Sequence, residues 1–291
     1  MKYLIQHTTA YRYSEPASLG HNEARLTPRS FSRQRCLSSQ IVVQPAPTAW
    51  AEWDDYYGNR VSYFTIEREH AELTVTARSE VELNAPFYLA PSGTVPWDQA
   101  RSQLTCPRDP EMIAASQFLY DSPHVPQEPW LCDYAAGSFA AGRPLLEALL
   151  DLTHRIHSEF QYTPASTGVS TPIREVFETR RGVCQDFAHL QIGCLRSLGL
   201  AALYVSGYLL TDPPPGSPRL IGADASHAWI SVYCPGVGWL DVDPTNDQMP
   251  SLRHVTVAWG RDYSDVCPVK GVVLGGGQHL MSVAVDVSPL I

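Results

Sequence analysis

The chain has 291 residues, 44% of them hydrophobic, with 21 basic and 30 acidic side chains for a formal charge of −9. That length and apolar content suffice for two packed cores, and the acidic balance argues against a general nucleic-acid binder and against docking on an anionic membrane. Met1-Lys2-Tyr3-Leu4-Ile5-Gln6-His7 turns polar too early for a signal peptide, and no later apolar run approaches the roughly 20 residues that span a bilayer, so the expectation is a soluble globular protein of the cytoplasm.

In chain order, residues 1–88 read as strands at Lys2 to Tyr13, Ser39 to Gln44, Arg60 to Ile66 and Glu72 to Leu83, with a turn over Asp54 to Asn59. An antiparallel, sandwich-like N-terminal domain is the simplest arrangement. Residues 89–143, where prolines and small polar residues become frequent, read as a connector with one short helix from Pro110 to Tyr120. Residues 144–291 read as the core. A helix from Pro144 to Phe160 carries Leu146, Leu149, Leu150, Leu152 and Ile156 at helical spacing, and a shorter one runs from Pro172 to Arg180. Strands follow at Ala201 to Leu210, Ser226 to Tyr233, Gly238 to Val242, His254 to Trp259 and His279 to Val287, expected in one antiparallel sheet. Asp212-Pro213-Pro214-Pro215-Gly216-Ser217-Pro218 is too proline-rich for either element and reads as a loop near the site. Helices followed by strands indicate α+β.

The chemistry concentrates on Cys184. In Arg181-Gly182-Val183-Cys184-Gln185-Asp186-Phe187-Ala188-His189 the thiol opens a helical pattern, with Phe187, Ala188, Leu190, Ile192, Leu195 and Leu198 at about 3.6-residue spacing until Gly199 stops it. Unpaired N–H groups and the dipole at a helix N-terminus favour an anion there, as a nucleophilic thiolate requires. Such a thiol needs a base and a group that fixes the base's tautomer. His227 sits on an alternating strand, and after the turn Pro235-Gly236-Val237-Gly238 a second strand returns to Asp243, so a hairpin brings the two together. Asp241 shares the face of Asp243 by strand alternation, and geometry alone leaves it as a rival.

The bland alternatives are a buried structural cysteine, a satisfied strand histidine and an Asp-Pro turn. Cys184, His189 and Cys194 have zinc-compatible side chains, but positions 184 and 194 lie almost three helical turns apart. No metal and no cofactor is expected, and no EF-hand loop is visible. The seven cysteines, an odd number without C-x-x-C spacing, read as free thiols in a reducing compartment.

The runs Gly182-Val183-Cys184-Gln185-Asp186-Phe187-Ala188-His189, Arg196-Ser197-Leu198-Gly199-Leu200, Tyr204-Val205-Ser206-Gly207-Tyr208, His227-Ala228-Trp229 and Asp243-Pro244-Thr245-Asn246, with the later Gly260-Arg261-Asp262-Tyr263-Ser264-Asp265-Val266 and Pro268-Val269-Lys270-Gly271-Val272, resemble the bacterial transglutaminase-like cysteine peptidase family. The N-terminal third resembles the β-rich domain that precedes the core there, so nearly the whole chain is covered. The resemblance implies a papain/transglutaminase-like core, a nucleophile helix on an antiparallel sheet, with Cys184 as nucleophile, His227 as general base and then acid, and Asp243 as orienter. It also implies an upstream aromatic oxyanion donor, for which Tyr162 stands in place. Arg261, Asp262 and Asp265 match the family's C-terminal segment, with structural ion pairs as their favoured role.

The expected function is cleavage of a peptide or isopeptide bond in a peptide or protein substrate through a Cys184 thioester. Acyl transfer to an amine by the same triad, and a binding module that retains the fold without catalysis, remain the alternatives. The sequence is silent on the natural substrate and on oligomeric state.

Overall fold

The computed structural model describes residues 1–85, 89–164, 166–211 and 225–290. Five strands open the chain: β1 (Lys2–Ala24), β2 (Gln34–Gln44), β3 (Ala49–Asp54), β4 (Arg60–Ile66) and β5 (His70–Leu83). The 23-residue β1 is the spine. Its first half pairs with β5, from Lys2 against Glu82 to Arg12 against Glu72, and its second half pairs with β4, from Gly20 against Ile66 to Ala24 against Ser62. The β5 register shifts between Arg12 and Ala17. One strand thus serves two half-sheets, which enclose Ala24, Leu26, Val43, Phe64, Ile66, Leu73, Val75 and Ala77. This is the sandwich-like unit expected, built with a corner-turning strand.

The stretch expected to be a connector holds three helices, α1 (Trp97–Thr105), α2 (Pro110–Ser116) and α3 (Pro129–Ala136). Its prolines are helix starts: Pro96 caps α1, and Pro110 and Pro129 stand in the first turns of α2 and α3, where a missing N–H leaves no hydrogen bond unmade. Next come α4 (Leu145–Glu159), the short parallel pair β6 (Gln161–Tyr162) and β7 (Arg181–Gly182) with α5 (Ile173–Thr179) between them, and α6 (Cys184–Ser197). Gly199, at φ 78°, terminates α6 in the left-handed conformation that glycine adopts freely.

Strands β8 (Ala202–Leu209), β9 (Ala225–Cys234), β10 (Gly238–Val242) and β11 (His254–Gly260) form an antiparallel sheet in the order β10-β9-β8-β11. α6 packs on it through Phe187, Ala188, Leu190, Ile192 and Leu195, against Ala202, Tyr204, Ala228, Ile230 and Val232. Behind α6 lies α4; Gln191 Nε2 donates to Thr153 Oγ1 at 2.7 Å. In α6, Gly193 lets α3 close in, since a Cβ there would lie 3.0 Å from Leu131 Cδ1.

After the one-turn α7 (Tyr263–Val266), the chain ends in β12 (Val269–Gly275) and β13 (His279–Leu290). The expectation that His279 to Val287 joins the core sheet is corrected here. β13 pairs along the first half of β1, from Lys2 against Leu290 to Tyr13 against His279, and β12 along the second half. Both complete the N-terminal sheet. The reason is physical: Val285 and Val287 find buried positions against β1, while β11 already holds the edge of the core sheet. Residues 144–291 therefore contribute to both units. The Asp212 to Pro218 segment lies outside the described residues.

Candidate active site

Cys184 is the first residue of α6. Val183, ahead of it, has no side-chain acceptor, so the cap is made from inside the helix. Asp186 Oδ2 reaches back to the Val183 N–H at 2.8 Å and accepts from Thr167 Oγ1 at 2.6 Å. This clasp sits over Gly182, where a Cβ would come 2.9 Å from the Asp186 side chain. Upstream, Arg180 turns the chain through a left-handed conformation at φ 54°. Its guanidinium lies over Phe177 at 4.3 Å and Phe160 at 4.6 Å. The thiol is partly exposed, and the helix N-terminus beneath it leaves N–H groups free to face an anion.

The β9–β10 hairpin forms as expected, with Gly238 against Cys234 and Val242 against Ile230. That register carries Asp243 level with Trp229, and His227 Nε2 meets Asp243 Oδ2 at 2.7 Å. The pair is buried, with side-chain exposures of 6% and 0%. Nε2 being committed to the carboxylate, Nδ1 is the ring nitrogen left for the thiol. Burial would lower the His227 pKa, but hydrogen bonds to Asp243 and to Cys184, with their charges, outweigh it and raise the pKa to about 10. Burial likewise pushes Asp243 upward, and the donors His227, His254 and Asn246 outweigh it to hold the carboxyl well below its ordinary range. The pair is thus an imidazolium–carboxylate pair over the whole neutral range.

Asp241, the rival, is engaged elsewhere: Arg33 Nη2 binds its Oδ2 at 2.6 Å. Tyr162 lies level with Gly182 in the β6–β7 pair, two residues from Cys184, and its ring meets Phe187 edge-on at 6.5 Å. Burial, and then the charge of Cys184, raise its phenol pKa, so the hydroxyl keeps its proton as a donor must. His189 is a core histidine, accepting from the Tyr263 N–H at 3.2 Å and stacked on His124 at 5.4 Å. Arg261 and Asp265 pair at 2.9 Å, and Asp262 caps α7 and accepts the His124 N–H. Arg261 and Asp265 form the structural ion pair expected, whereas Asp262 serves as a cap in place of an ion-pair partner.

Two side chains were not assigned from the sequence. Asn246 Nδ2 donates to Asp243 Oδ2 at 2.7 Å; it also lies 3.3 Å from His227 Nε2, a contact between two donors rather than a bond. His254 Nε2 stands 3.2 Å from the same oxygen. Asn246 lay within a quoted motif, whereas His254 opens a strand with nothing local to mark it. Among the described residues, the group of three side chains able to hold a metal is His227, Asp243 and His254. Both imidazoles direct an N–H at the carboxylate, so a cation would have to displace two protons. Cys184, His189 and Cys194 do not form such a group among the described residues, in which no helix is long and apolar enough to cross a membrane.

A helix opening on a thiol, packed on an antiparallel sheet that carries a histidine–carboxylate pair, is the architecture of papain-like cysteine enzymes. Comparison with known proteins gives the particular branch. The bacterial transglutaminase-like N-terminal region matches residues 3–82, and the transglutaminase-like superfamily matches residues 133–244. An uncharacterised protein of Mycobacterium tuberculosis is 43% identical over 99% of this chain and 93% of its own length. A protein-glutamine gamma-glutamyltransferase of Pseudomonas aeruginosa is 34% identical over 74% of this chain and 30% of its own. A solved structure from Cytophaga hutchinsonii, described as a candidate cysteine protease, shares the fold with a TM-score of 0.77 and 22% identity, covering 99% of this chain and 90% of that one. The chain belongs to the transglutaminase-like superfamily of cysteine-dependent enzymes, with the bacterial N-terminal region preceding the core.

Proposed function

We propose that this chain is a cysteine hydrolase that cleaves a peptide or isopeptide bond through a thioester on Cys184. The observation that carries the reading is the buried His227–Asp243 pair at 2.7 Å, with Cys184 at the N-terminus of α6 helping the carboxylate to raise the imidazole's pKa. Cys184 sulfur attacks the amide carbonyl carbon, and the carbonyl electrons move onto oxygen. The Cys184 N–H, with the Tyr162 hydroxyl as second donor, faces that developing charge. As the tetrahedral adduct collapses the C–N bond breaks, and His227 gives its proton to the leaving amine. Water then attacks the thioester, His227 takes the water's proton, and the S–C bond breaks to restore thiolate and imidazolium. Asp243 keeps His227 Nε2 protonated and aimed throughout.

Transfer to an amine in place of water is the second reading, favoured by the name of the Pseudomonas aeruginosa relative. The test is mass spectrometry of wild type and Cys184→Ala after exposure to an electrophilic acyl amide probe, followed by turnover of peptides with and without an added amine. An adduct on wild-type Cys184 alone, and acid products that persist with amine present, are the expected results. Amide products in the presence of amine would transfer the assignment to an acyltransferase. A Cys184 that forms no adduct from mildly acidic to alkaline pH would favour a binding module.

A further inference from the structure

We propose that His254 is a positioning residue for the thiol site, a second imidazole that donates to Asp243 and so keeps His227 aimed at Cys184; this rests on the cysteine-enzyme reading above. His254 Nε2 lies 3.2 Å from Asp243 Oδ2, and both side chains are fully buried. Its tautomer follows from its other nitrogen. The Ser251 backbone N–H points at Nδ1 at 3.3 Å, and a backbone amide can only donate, so Nδ1 accepts and Nε2 carries the hydrogen. His254 is therefore a neutral donor, which satisfies the carboxylate without adding a charge that competes with the His227 imidazolium.

Apart from His227 itself, which donates to Oδ2 at 2.7 Å, the other donors to Asp243 show why this one matters. Oδ1 accepts from Thr245 N at 3.0 Å and Asn246 N at 3.3 Å, and Oδ2 accepts from Asn246 Nδ2 at 2.7 Å. All three belong to the turn that carries Asp243 and move with it. His254 arrives from β11, at the opposite edge of the core sheet from β10. It ties the carboxylate to the body of the sheet across β9 and β8. The crossing is cleared by Gly207 on β8, where a Cβ would come 2.5 Å from Trp229 Cη2. Trp229 in turn packs edge-on against the His254 ring at 5.3 Å and 86°. A carboxylate held only by its own turn can swing, and the imidazole hydrogen-bonded to it swings too.

The test compares His254→Gln, which keeps an N–H donor of similar reach, with His254→Phe, which keeps the ring volume and removes the donor. The readout is the rate of Cys184 alkylation by iodoacetamide, followed by mass spectrometry with Cys184→Ala as the zero and thermal melting alongside. His254→Phe should alkylate about tenfold or more slowly, and His254→Gln should recover most of the rate. Phe equal to wild type, or Phe and Gln falling together, would overturn the proposal and leave the cysteine-enzyme reading standing. A wild-type Cys184 no faster than exposed Cys106 would overturn both. Nitrogen NMR of the wild-type protein supplies a measurement that needs no variant: His254 should be the neutral Nε2–H tautomer, and a charged or Nδ1–H ring would refute the assignment.

Discussion

Asp243 is the residue through which the proposed chemistry and the stability of the site are coupled. Its replacement by Asn removes a buried charge from under His227 and leaves the imidazole facing an amide, which can present the wrong tautomer. Turnover should fall about 10³–10⁴-fold, by analogy with other triads. The stability cost should be on the order of 3–5 kcal/mol, as for breaking a buried pair, and its pH dependence has a definite sign. His227 is raised from 6.5 to about 10, so its share is complete below 6.5 and lost as pH rises through about 10. Asp243 is depressed from 3.8, so its share is complete above that value and lost on strong acidification. The gap between wild-type and Asp243→Asn melts should be widest between about pH 4 and 6.5 and shrink toward pH 10. A gap that widens with alkalinity would contradict the ion pair. The thiol and the imidazole are legible in the sequence because each carries a local mark, a helix start and a strand before a Gly-containing turn, whereas Asp243 is preferred over Asp241 only through the family resemblance. His254 bears no such mark, because what assigns it is a bond that crosses two strands, β9 and β8.

At the scale of elements, the start of α6 is held by a side chain in its own first turn. Gly182 lies so close to Asp186 and Phe187 that a Cβ would stand 2.9 Å from the Asp186 carboxylate and 3.2 Å from Phe187 Cε1. Gly182→Ala should push Asp186 off the Val183 N–H, cost about 1–3 kcal/mol as overpacking does, and slow Cys184 alkylation more than the melting shift alone would suggest. Asp186→Asn, which keeps an acceptor oxygen, should cost less on both counts; equal losses would mean that bulk, not the clasp, governs the helix start. α4, α5, α6 and the β9–β10 hairpin were readable because their apolar spacing or turn glycines are local. α1 and α3 are not, since a proline that begins a helix, as Pro96 and Pro129 do, looks in sequence like one that breaks it. β3 was missed for the opposite reason: every residue from Ala49 to Asp54 is exposed, so no alternation of burial marks it.

Over the whole molecule, the two units are joined at an edge the sequence pattern does not reveal. β11 ends the core sheet, and its outer N–H and C=O groups would lack partners if left bare and buried. Two amide side chains from the N-terminal unit take the place of a fifth strand. Gln34 donates to Thr256 O at 2.6 Å and accepts from Thr256 N at 2.8 Å, while Asn59 donates to Trp259 O at 2.8 Å and accepts from Trp259 N at 3.0 Å. Both are 1% exposed. Arg33, beside Gln34, holds Asp241 and the Pro250 carbonyl, and Tyr3 Oη donates to Leu252 O at 2.8 Å, so the loop leading into His254 is fastened to the N-terminal unit as well. With β12 and β13 returning to β1, neither unit has a complete sheet edge or core without the other. Thermal unfolding should therefore be one cooperative transition. Gln34→Ala, which strands the Thr256 N–H and leaves its carbonyl only the longer bond from the Arg29 N–H at 3.3 Å, should lower stability by about 1–3 kcal/mol and also slow Cys184 alkylation, because β11 carries His254. Calorimetry that resolved two transitions, with Gln34→Ala moving one of them and leaving the thiol's reactivity unchanged, would show that the N-terminal unit is an independent appendage rather than the outer wall of the site.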